Sequence, residues 1–206
     1  MRKAADSTVR RLSLYLRLLD DFEARGQATV SSEVLASLGG TTSAQVRKDL
    51  SFFGSFGKRG LGYPVAPLAA RVRQILGLDH RYRLAVVGAG KIGSALVQYK
   101  GFRQRGFDIV AIFDTDPAKV GRHFDGLEVQ DVTRLEAVLA EHPVEIGVIV
   151  TPGEEAQAVA DRLVRSGVQA ILNFAPAQLT LPDSVSLKTV NLALELEALS
   201  YALTNR

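Results

Sequence analysis

The chain has 206 residues, of which 47% are hydrophobic and none is a cysteine; this suits one large or two small domains and excludes disulfides, thiolate catalysis and cysteine-ligated zinc. No stretch approaches about 20 consecutive apolar residues and the chain does not begin like a signal peptide, so we expect a soluble, cytoplasmic protein. The net charge is +3, yet residues 1–81 hold 13 Lys and Arg against 7 Asp and Glu whereas residues 82–206 hold 12 against 15, so we expect only the N-terminal part to meet a polyanion.

Three helices are predicted in the N-terminal part. Apolar residues at helical spacing predict the first over residues 8–24. The second begins after Ser31-Ser32, which are candidate N-caps, and stops at Gly39-Gly40. The third starts at Thr42, which forms a candidate capping box with Gln45.

A basic, glycine-rich segment follows the third helix. Residues 54–63 contain four glycines and the pair Lys58-Arg59, which favours a tight hairpin. Helix, helix, turn, helix and basic hairpin is the order of a winged-helix domain, whose third helix enters the major groove while the wing reaches the adjoining backbone. A helical interaction module with a basic loop is the alternative. The residues expected to contact DNA are Thr42, Ser43, Gln45, Arg47, Lys48 and Ser51 of the helix and Lys58, Arg59 and Gly60 of the wing.

Prolines at 64 and 67 indicate a boundary, and residues 68–78 read as a connecting helix. The predicted organisation is a winged-helix domain over residues 1–80, a Rossmann domain over residues 81–190 and a C-terminal helix over residues 191–206.

A glycine-rich turn opens the second domain. The short apolar strand 83–87 leads directly into Gly88-Ala89-Gly90-Lys91-Ile92-Gly93 and a helix, which is the context that the dinucleotide fingerprint requires. Its glycines allow the turn, the approach of a pyrophosphate, and close packing of helix on strand. The next strand, 108–113, ends at Asp114, 21 residues after Gly93. A carboxylate there accepts ribose hydroxyls and repels a 2′-phosphate, so we expect NAD(H) rather than NADP(H).

Strands continue to alternate with helices, which predicts an α/β Rossmann fold with a doubly wound parallel sheet. Further strands are expected over residues 127–130, 145–150, 169–173 and 185–190, and Thr151 is expected to cap a helix. Loops at the carboxyl ends of such strands bind ligands. The candidates for the nicotinamide pocket are therefore Thr151, Pro152, Asn173, Phe174, Ala175 and Pro176. A last apolar helix, 191–203, either covers its own sheet or packs on a partner subunit.

Four segments resemble the Rex family of bacterial redox-sensing repressors, and the resemblance extends over nearly the whole chain. They are residues 46–63 (VRKDLSFFGSFGKRGLGY), 86–96 (VVGAGKIGSAL), 112–121 (IFDTDPAKVG) and 171–179 (ILNFAPAQL). The resemblance implies a homodimer with a domain-swapped C-terminal helix. It also implies a transcriptional repressor that binds palindromic operator DNA and is released when NADH binds, so that it responds to the NADH/NAD⁺ ratio.

The same resemblance implies roles for individual residues. Arg47, Lys48, Lys58 and Arg59 resemble the family's DNA contacts, Gly88, Gly90, Gly93 and Asp114 resemble its cofactor set, and Arg17 and Tyr99 match residues that link the nicotinamide to the domain interface. Two positions depart from the family. Asn191 stands where many members have an aspartate paired with that arginine, so the coupling is expected to be weaker or built differently. Phe52 stands where relatives often carry tyrosine.

Two other functions compete with this interpretation. A small NAD-dependent oxidoreductase would need a general acid or base beside the nicotinamide, but His80, His123 and His142 do not follow strand ends, which leaves Tyr99 as a candidate. The glycine turn could instead bind another nucleotide, such as a coenzyme A or ADP moiety. We expect a non-enzymatic regulator that prefers NADH, because an apolar site near Phe174 disfavours a buried cation. Its expected partners are operator DNA and a second copy, without a membrane or a metal.

Overall fold

The computed structural model describes residues 4–57 and 61–205. The chain divides into two compact units, Met1–His80 and Arg81–Arg206. Buried apolar residues form one cluster in the first unit and two in the second.

The first unit is mainly helical. In its described residues the elements are α1 (Asp6–Ala24), β1 (Thr29–Val30), α2 (Ser32–Leu38), α3 (Ser43–Ser51), β2 (Tyr63–Pro64) and α4 (Val65–Ile75). The three helices predicted from the sequence are confirmed, and β1 pairs antiparallel with β2. Pro64 and Pro67 fall inside this unit rather than at its end, because Leu68 and Val72 of α4 are buried in its core.

Side-chain caps explain where the short helices begin. The hydroxyl of Ser31 accepts a hydrogen bond from the backbone N–H of Val34, and that of Thr42 accepts from Gln45 at 3.1 Å. The predicted capping box is only half formed, because the Gln45 side chain donates to Asp49 at 2.8 Å instead.

Two ion pairs connect α1 to α3 and α4. Near the start of α1, Arg11 pairs with Asp49 of α3, and near its end Asp20 pairs with Arg73 of α4. The apolar stripe of α1 is buried between these pairs, with Tyr15 and Leu19 fully inaccessible. Helix α1 therefore joins α3 to α4 by packing and by charge.

The second unit is built on a seven-stranded sheet. Its elements are β3 (Tyr82–Val87), α5 (Lys91–Gln98), α6 (Lys100–Gln104), β4 (Phe107–Asp114), β5 (His123–Phe124), β6 (Leu127–Asp131), a 3₁₀ turn (Val132–Arg134), α7 (Leu135–Glu141), β7 (Ile146–Ile149), α8 (Gly153–Arg165), β8 (Ala170–Asn173), β9 (Ser186–Thr189) and α9 (Leu192–Thr204). The strand order is β5-β6-β4-β3-β7-β8-β9. The predicted parallel strands are confirmed, whereas the antiparallel edge strand β5 was not predicted.

The sheet order determines where a ligand can bind. From β3 the chain winds outward through β4 and β6, and from β7 it winds the other way through β8 and β9. The carboxyl ends of β3 and β7 lie side by side, since Val87 is in register with Ile149. A crevice opens at such a reversal in doubly wound sheets.

Helix α9 is apolar yet exposed along its whole length. Its large side chains are between 59% and 71% exposed, namely Leu192, Leu194, Leu196, Leu199, Tyr201 and Leu203. Of the two alternatives that the sequence left open, covering its own sheet is therefore wrong for this chain.

Candidate functional site

The turn between β3 and α5, residues 88–93, forms a glycine cradle, and its three glycines have different surroundings. Gly88 has φ +109°, and a Cβ there would lie 2.7 Å from the carbonyl oxygen of Val150. A Cβ on Gly93 would overlap the carbonyl oxygen of Gly88, whereas one on Gly90 would meet nothing within 4 Å. The fold itself thus requires Gly88 and Gly93, while Gly90 leaves the face of the turn open. The other residues of the turn are buried Ala89 and exposed Lys91 and Ile92.

Asp114, at the end of β4, is held by three donors. The backbone N–H of Ala89 donates to its Oδ2 at 2.6 Å and that of Asp116 to its Oδ1 at 2.8 Å. Lys119 Nζ lies 3.2 and 3.3 Å from the two oxygens. Burial would raise the pKa of this carboxyl, but the hydrogen bonds from Asp116, Ala89 and Lys119 outweigh it and hold the pKa below its ordinary value.

Lys119 is a site residue that sequence reasoning missed. The hydrogen bond to Asp114 raises the pKa of its ammonium group, so the pair is ionised. The only signal in the sequence is its place five residues after Asp114. Asp116 forms a turn after β4, since its carboxylate accepts from the N–H of Ala118 at 2.9 Å.

A cleft of about 330 Å³ lies at the reversal of the sheet. It is lined by the glycine turn, the segment from Asp114 to Lys119 and the start of α8. The sequence-predicted residues that line it together are Gly88, Gly90, Asp114, Thr151 and Pro152. Neither Tyr99 nor any of the three histidines lines it. A larger cavity of about 550 Å³ lies elsewhere in this unit, beside Tyr99. Two arginines that line it, Arg81 and Arg103, already form ion pairs with aspartates of the chain.

Thr151 does not cap α8 as predicted. The N-cap position is Pro152, which offers no side-chain acceptor. In the described residues, Thr151 Oγ1 is a buried polar atom without a hydrogen-bond partner. Burying an unpaired hydroxyl costs about 1–3 kcal/mol, so this atom is available to a ligand in the cleft that it lines.

Asn173 organises its own loop. Its side chain is fully buried, accepts from the N–H of Ala175 at 2.9 Å and donates to the carbonyl oxygens of Ala175 and Ala177. Phe174 is half-buried and packs against a core cluster. Pro176 adjoins the start of α8, since a Cβ on Gly153 would lie 3.2 Å from its carbonyl oxygen. The loop therefore supports the mouth of the cleft without lining it.

Helix α3 presents polar and basic side chains outward. Thr42, Arg47, Lys48 and Ser51 are exposed, whereas Ser43 and Gln45 are half-buried. Arg47 Nη1 donates to Ser32 Oγ at 2.9 Å and to Glu33 at 3.2 Å. The wing residues Lys58, Arg59 and Gly60 lie outside the described residues.

The buried carboxylate of Asp49 holds α3 against α1. Asp49 is 3% exposed and accepts two hydrogen bonds from Arg11, at 2.6 and 2.8 Å, one from Tyr15 and one from Gln45. Burial would raise the pKa of Asp49, but the hydrogen bonds from Arg11, Gln45 and Tyr15 hold it below its ordinary value. Burial together with the Asp49 charge raises the pKa of Tyr15 to about 12. Sequence reasoning missed this network because a charged residue in a basic helix is ordinarily expected to face solvent.

The three residues assigned to coupling are all exposed. Arg17 lies on α1, and Tyr99 stands between α5 and α6, edge-to-face with Phe102 at 5.1 Å between ring centroids. Asn191 caps α9, accepting from the N–H of Ala193 at 3.0 Å. The amide is thus used locally as a helix cap.

Two features are not found in the part of the chain that the structure describes. No cluster of three or more His, Asp or Glu side chains is placed to hold a metal ion. The described helices also include none with the length and hydropathy that crossing a membrane requires.

Comparisons with known families match both units. The family described as "Putative DNA-binding protein N-terminus" matches residues 3–51. The family described as "CoA binding domain" matches residues 79–177, the segment with the glycine turn and most of the sheet.

Curated relatives match over nearly the full length. The redox-sensing transcriptional repressor Rex of Carboxydothermus hydrogenoformans is 49% identical, with 97% of this chain and 96% of the relative covered. The protein of the same name from Streptomyces coelicolor is 44% identical, with 97% and 78% covered.

Solved structures agree with the sequence relatives. RSP, a Rex-family repressor, in complex with β-NAD⁺ and operator DNA superposes with a TM-score of 0.93 at 38% identity, covering 98% of this chain and 94% of RSP. RSP in complex with β-NADH superposes with a TM-score of 0.89 at 37% identity, covering 98% and 95%.

Proposed function

The chain belongs to the Rex family of redox-sensing transcriptional repressors, and from this premise we propose that it binds operator DNA through α3 and leaves it when NADH occupies the cleft beside Asp114. The observation that carries the proposal is that one chain joins an outward-facing basic helix to an open glycine cradle with an ionised aspartate. Its relatives are named as repressors, so its function is regulatory rather than enzymatic. Because a repressor acts on the chromosome, we propose that this chain works in the bacterial cytoplasm.

The cleft fits a dinucleotide in two independent respects. Gly90 leaves the turn open where a pyrophosphate would approach the backbone and the positive end of α5. Thr151 Oγ1 is a buried hydroxyl that still lacks a partner. In this proposal Gly88 to Gly93 hold the phosphates, Asp114 accepts the ribose hydroxyls, and Thr151 and Pro152, with the loop 173–176 behind them, bound the nicotinamide end.

The response to redox state rests on the charge of the nicotinamide ring. NAD⁺ carries a positive charge there that NADH lacks, and burying an unpaired cation among apolar groups is costly. Phe174, Leu172 and Val150 supply such apolar groups close to the loops concerned. A ligand shifts a two-state equilibrium only by its differential affinity, and moving it from 1:99 to 99:1 takes about 10⁴-fold. The NADH preference proposed here therefore has to be large.

On the DNA side, we assign Arg47 and Lys48 to backbone and base contacts, with Thr42 and Ser51 beside them. Basic side chains on a helix of this kind reach both phosphates and base edges in a major groove. Arg47 already donates to Ser32 and Glu33, so its guanidinium is oriented before DNA arrives. From the family resemblance we also assign DNA contacts to Lys58 and Arg59, which lie outside the described residues.

The assembly that we propose is a homodimer formed through α9. Monomers rarely expose contiguous apolar patches of this kind, and α9 exposes six large apolar side chains in a single chain. A second copy supplies the cover, in the swapped arrangement that the family resemblance implies. A dimer also presents two copies of α3 to a palindrome.

Introducing charge on α9 is expected to separate the subunits. The double variant Leu196→Glu/Leu199→Glu changes two exposed side chains, so each chain keeps its own fold while the dimer dissociates. DNA affinity is expected to fall by about a hundredfold or more, because two linked half-site contacts become independent. Sedimentation and operator titration measure the two effects. Ala140→Glu, at an exposed position of α7 outside α9, tests whether added charge alone matters. A double variant that stays dimeric would contradict the assignment of α9.

The proposed function is tested by titrating operator binding against cofactor. The DNA is a palindromic duplex selected from a random pool by repeated rounds of binding to the full chain. Fluorescence anisotropy should show tight binding with NAD⁺ and release as the NADH fraction rises at constant total cofactor. Operator binding that does not change with the NADH/NAD⁺ ratio would refute the proposal. Absence of DNA binding, together with NADH turnover on small aldehydes or hydroxy acids, would favour the dehydrogenase instead.

A further inference from the structure

The carboxylate at the end of β4 occupies an anion site made by the protein itself. Asp114 receives one backbone N–H from the glycine turn, one from Asp116 and the ammonium group of Lys119, all within 3.3 Å. Its side chain is only 8% exposed. Two of the three donors belong to the backbone, so they stay in place whatever side chain stands at position 114.

Removing the carboxylate would leave these donors facing one small space. A buried donor without an acceptor costs about 1–3 kcal/mol, so the space favours another anion. A phosphate group has the required charge and several acceptor oxygens, and Lys and backbone N–H groups are ordinary phosphate ligands. The cleft that contains Asp114 is the one assigned above to the dinucleotide.

We propose that Lys119 is a specificity-determining residue, and that Asp114 masks a latent site for the 2′-phosphate of NADP(H). This inference rests on the proposed function, since it assumes that the adenosine end of the cofactor lies beside Asp114. With Asp114 present, its negative charge excludes the 2′-phosphate and engages Lys119. With Asp114 absent, Lys119 and the N–H groups of Ala89 and Asp116 bind that phosphate.

The surroundings of Lys119 support this assignment. Its side chain is 34% exposed and lines the cleft, so the ammonium group is accessible from the ligand side. One competing anion is Asp116, whose carboxylate lies 3.6 Å from Lys119 Nζ and is 42% exposed. Asp116 is more exposed than Asp114 and is occupied with capping its own turn, so it attracts the lysine less strongly in the screened environment.

The test compares NADH and NADPH binding to four forms of the full chain by calorimetric titration. These are the natural sequence, Asp114→Ala, Asp114→Ala/Lys119→Met, and Asp114→Ala/Lys100→Met as the matched control. Lys100 is an exposed lysine of α6 that does not line the cleft. Thermal melting with each cofactor gives a second readout that is independent of DNA.

The natural chain is expected to bind NADH and to bind NADPH weakly. In Asp114→Ala the NADH affinity falls by about tenfold, because the ribose hydroxyls lose an acceptor. NADPH affinity rises by about tenfold, so the ratio of NADH affinity to NADPH affinity falls by about a hundredfold. Adding Lys119→Met removes the gain in NADPH affinity, whereas adding Lys100→Met preserves it.

Two results would overturn the inference while leaving the proposed function intact. One is NADH binding by the natural chain with no gain in NADPH affinity on removing Asp114. The other is a gain that survives Lys119→Met. If Asp114→Ala does not fold, Asp114→Ser provides the same comparison with a small side chain that still empties the space of the carboxylate. A natural chain that binds neither cofactor would refute the proposed function itself.

Discussion

Replacement of Gly93 by alanine is expected to abolish NADH binding and to lower the free energy of unfolding of the second unit by about 3 kcal/mol. The added methyl group would overlap the carbonyl oxygen of Gly88. Both partners of this clash are fixed to the main chain, so no rotamer change can relieve it and the turn itself must open. Opening the turn also displaces the N–H of Ala89 that holds Asp114. Chemical denaturation and calorimetric titration with NADH measure the two losses.

Gly90→Ala is the matched control for this prediction. A Cβ at position 90 meets nothing within 4 Å and the residue has an ordinary φ of −72°. Its stability is therefore expected to stay within about 0.5 kcal/mol of the natural chain. NADH binding should nevertheless weaken, because the methyl group lies on the open face assigned to the phosphates. A Gly93→Ala protein with normal stability and normal NADH affinity would contradict the role given to this turn.

Substitution of Asp49 by alanine is expected to destabilise the first unit by about 3 kcal/mol and to abolish operator binding. The change removes the acceptor for Arg11, Tyr15 and Gln45 at once. The buried hydroxyl of Tyr15 also loses its carboxylate acceptor, which adds to the cost. Because α3 is tied to α1 through this carboxylate, its exposed basic residues lose their fixed orientation. Denaturation and operator titration at fixed cofactor ratio measure both effects.

Asp21→Asn and acid titration provide the controls for Asp49. Asp21 is exposed on α1, so its neutralisation should change neither stability nor DNA affinity appreciably. The pKa of Asp49 is lowered in the folded chain. The contribution of the Asp49 charge to stability is therefore fully present above the pKa of about 3.9 that the carboxyl has in the unfolded chain. It is lost as pH falls through the lower pKa of the folded chain. Asp49→Asn should lose this part of the acid sensitivity. Normal operator affinity in Asp49→Ala would refute the positioning role.

The sequence was most informative where local chemistry and fold agree. The glycine turn, with β3 before it and α5 after it, was recognisable because the backbone leaves no room for a larger residue at Gly88 and Gly93. Asp114 followed from spacing alone. The N-caps Ser31 and Thr42 were also predictable, since a cap bonds only to N–H groups two or three residues away.

Features that depend on distant parts of the chain were not predictable. Asp49 bonds to Arg11, which is 38 residues away, and no periodicity in α3 distinguishes it from a solvent-facing aspartate. The cap expected at Thr151 failed because the chain turns at Pro152, which leaves the hydroxyl buried in the cleft instead. Likewise, Asn173 was expected to face a ligand, but its amide holds the backbone of its own loop.

The two ion pairs along α1 have a mechanical consequence. Arg11 and Asp20 are nine residues apart, which is about 13 Å along a helix axis. One holds α3 and the other holds α4, the last helix before the boundary at His80. Because α1 is held to both helices at separated points, we expect a displacement of α4 to move α1 and α3 together as one rigid group. The exposed surface of α3 would then change its orientation without changing its shape.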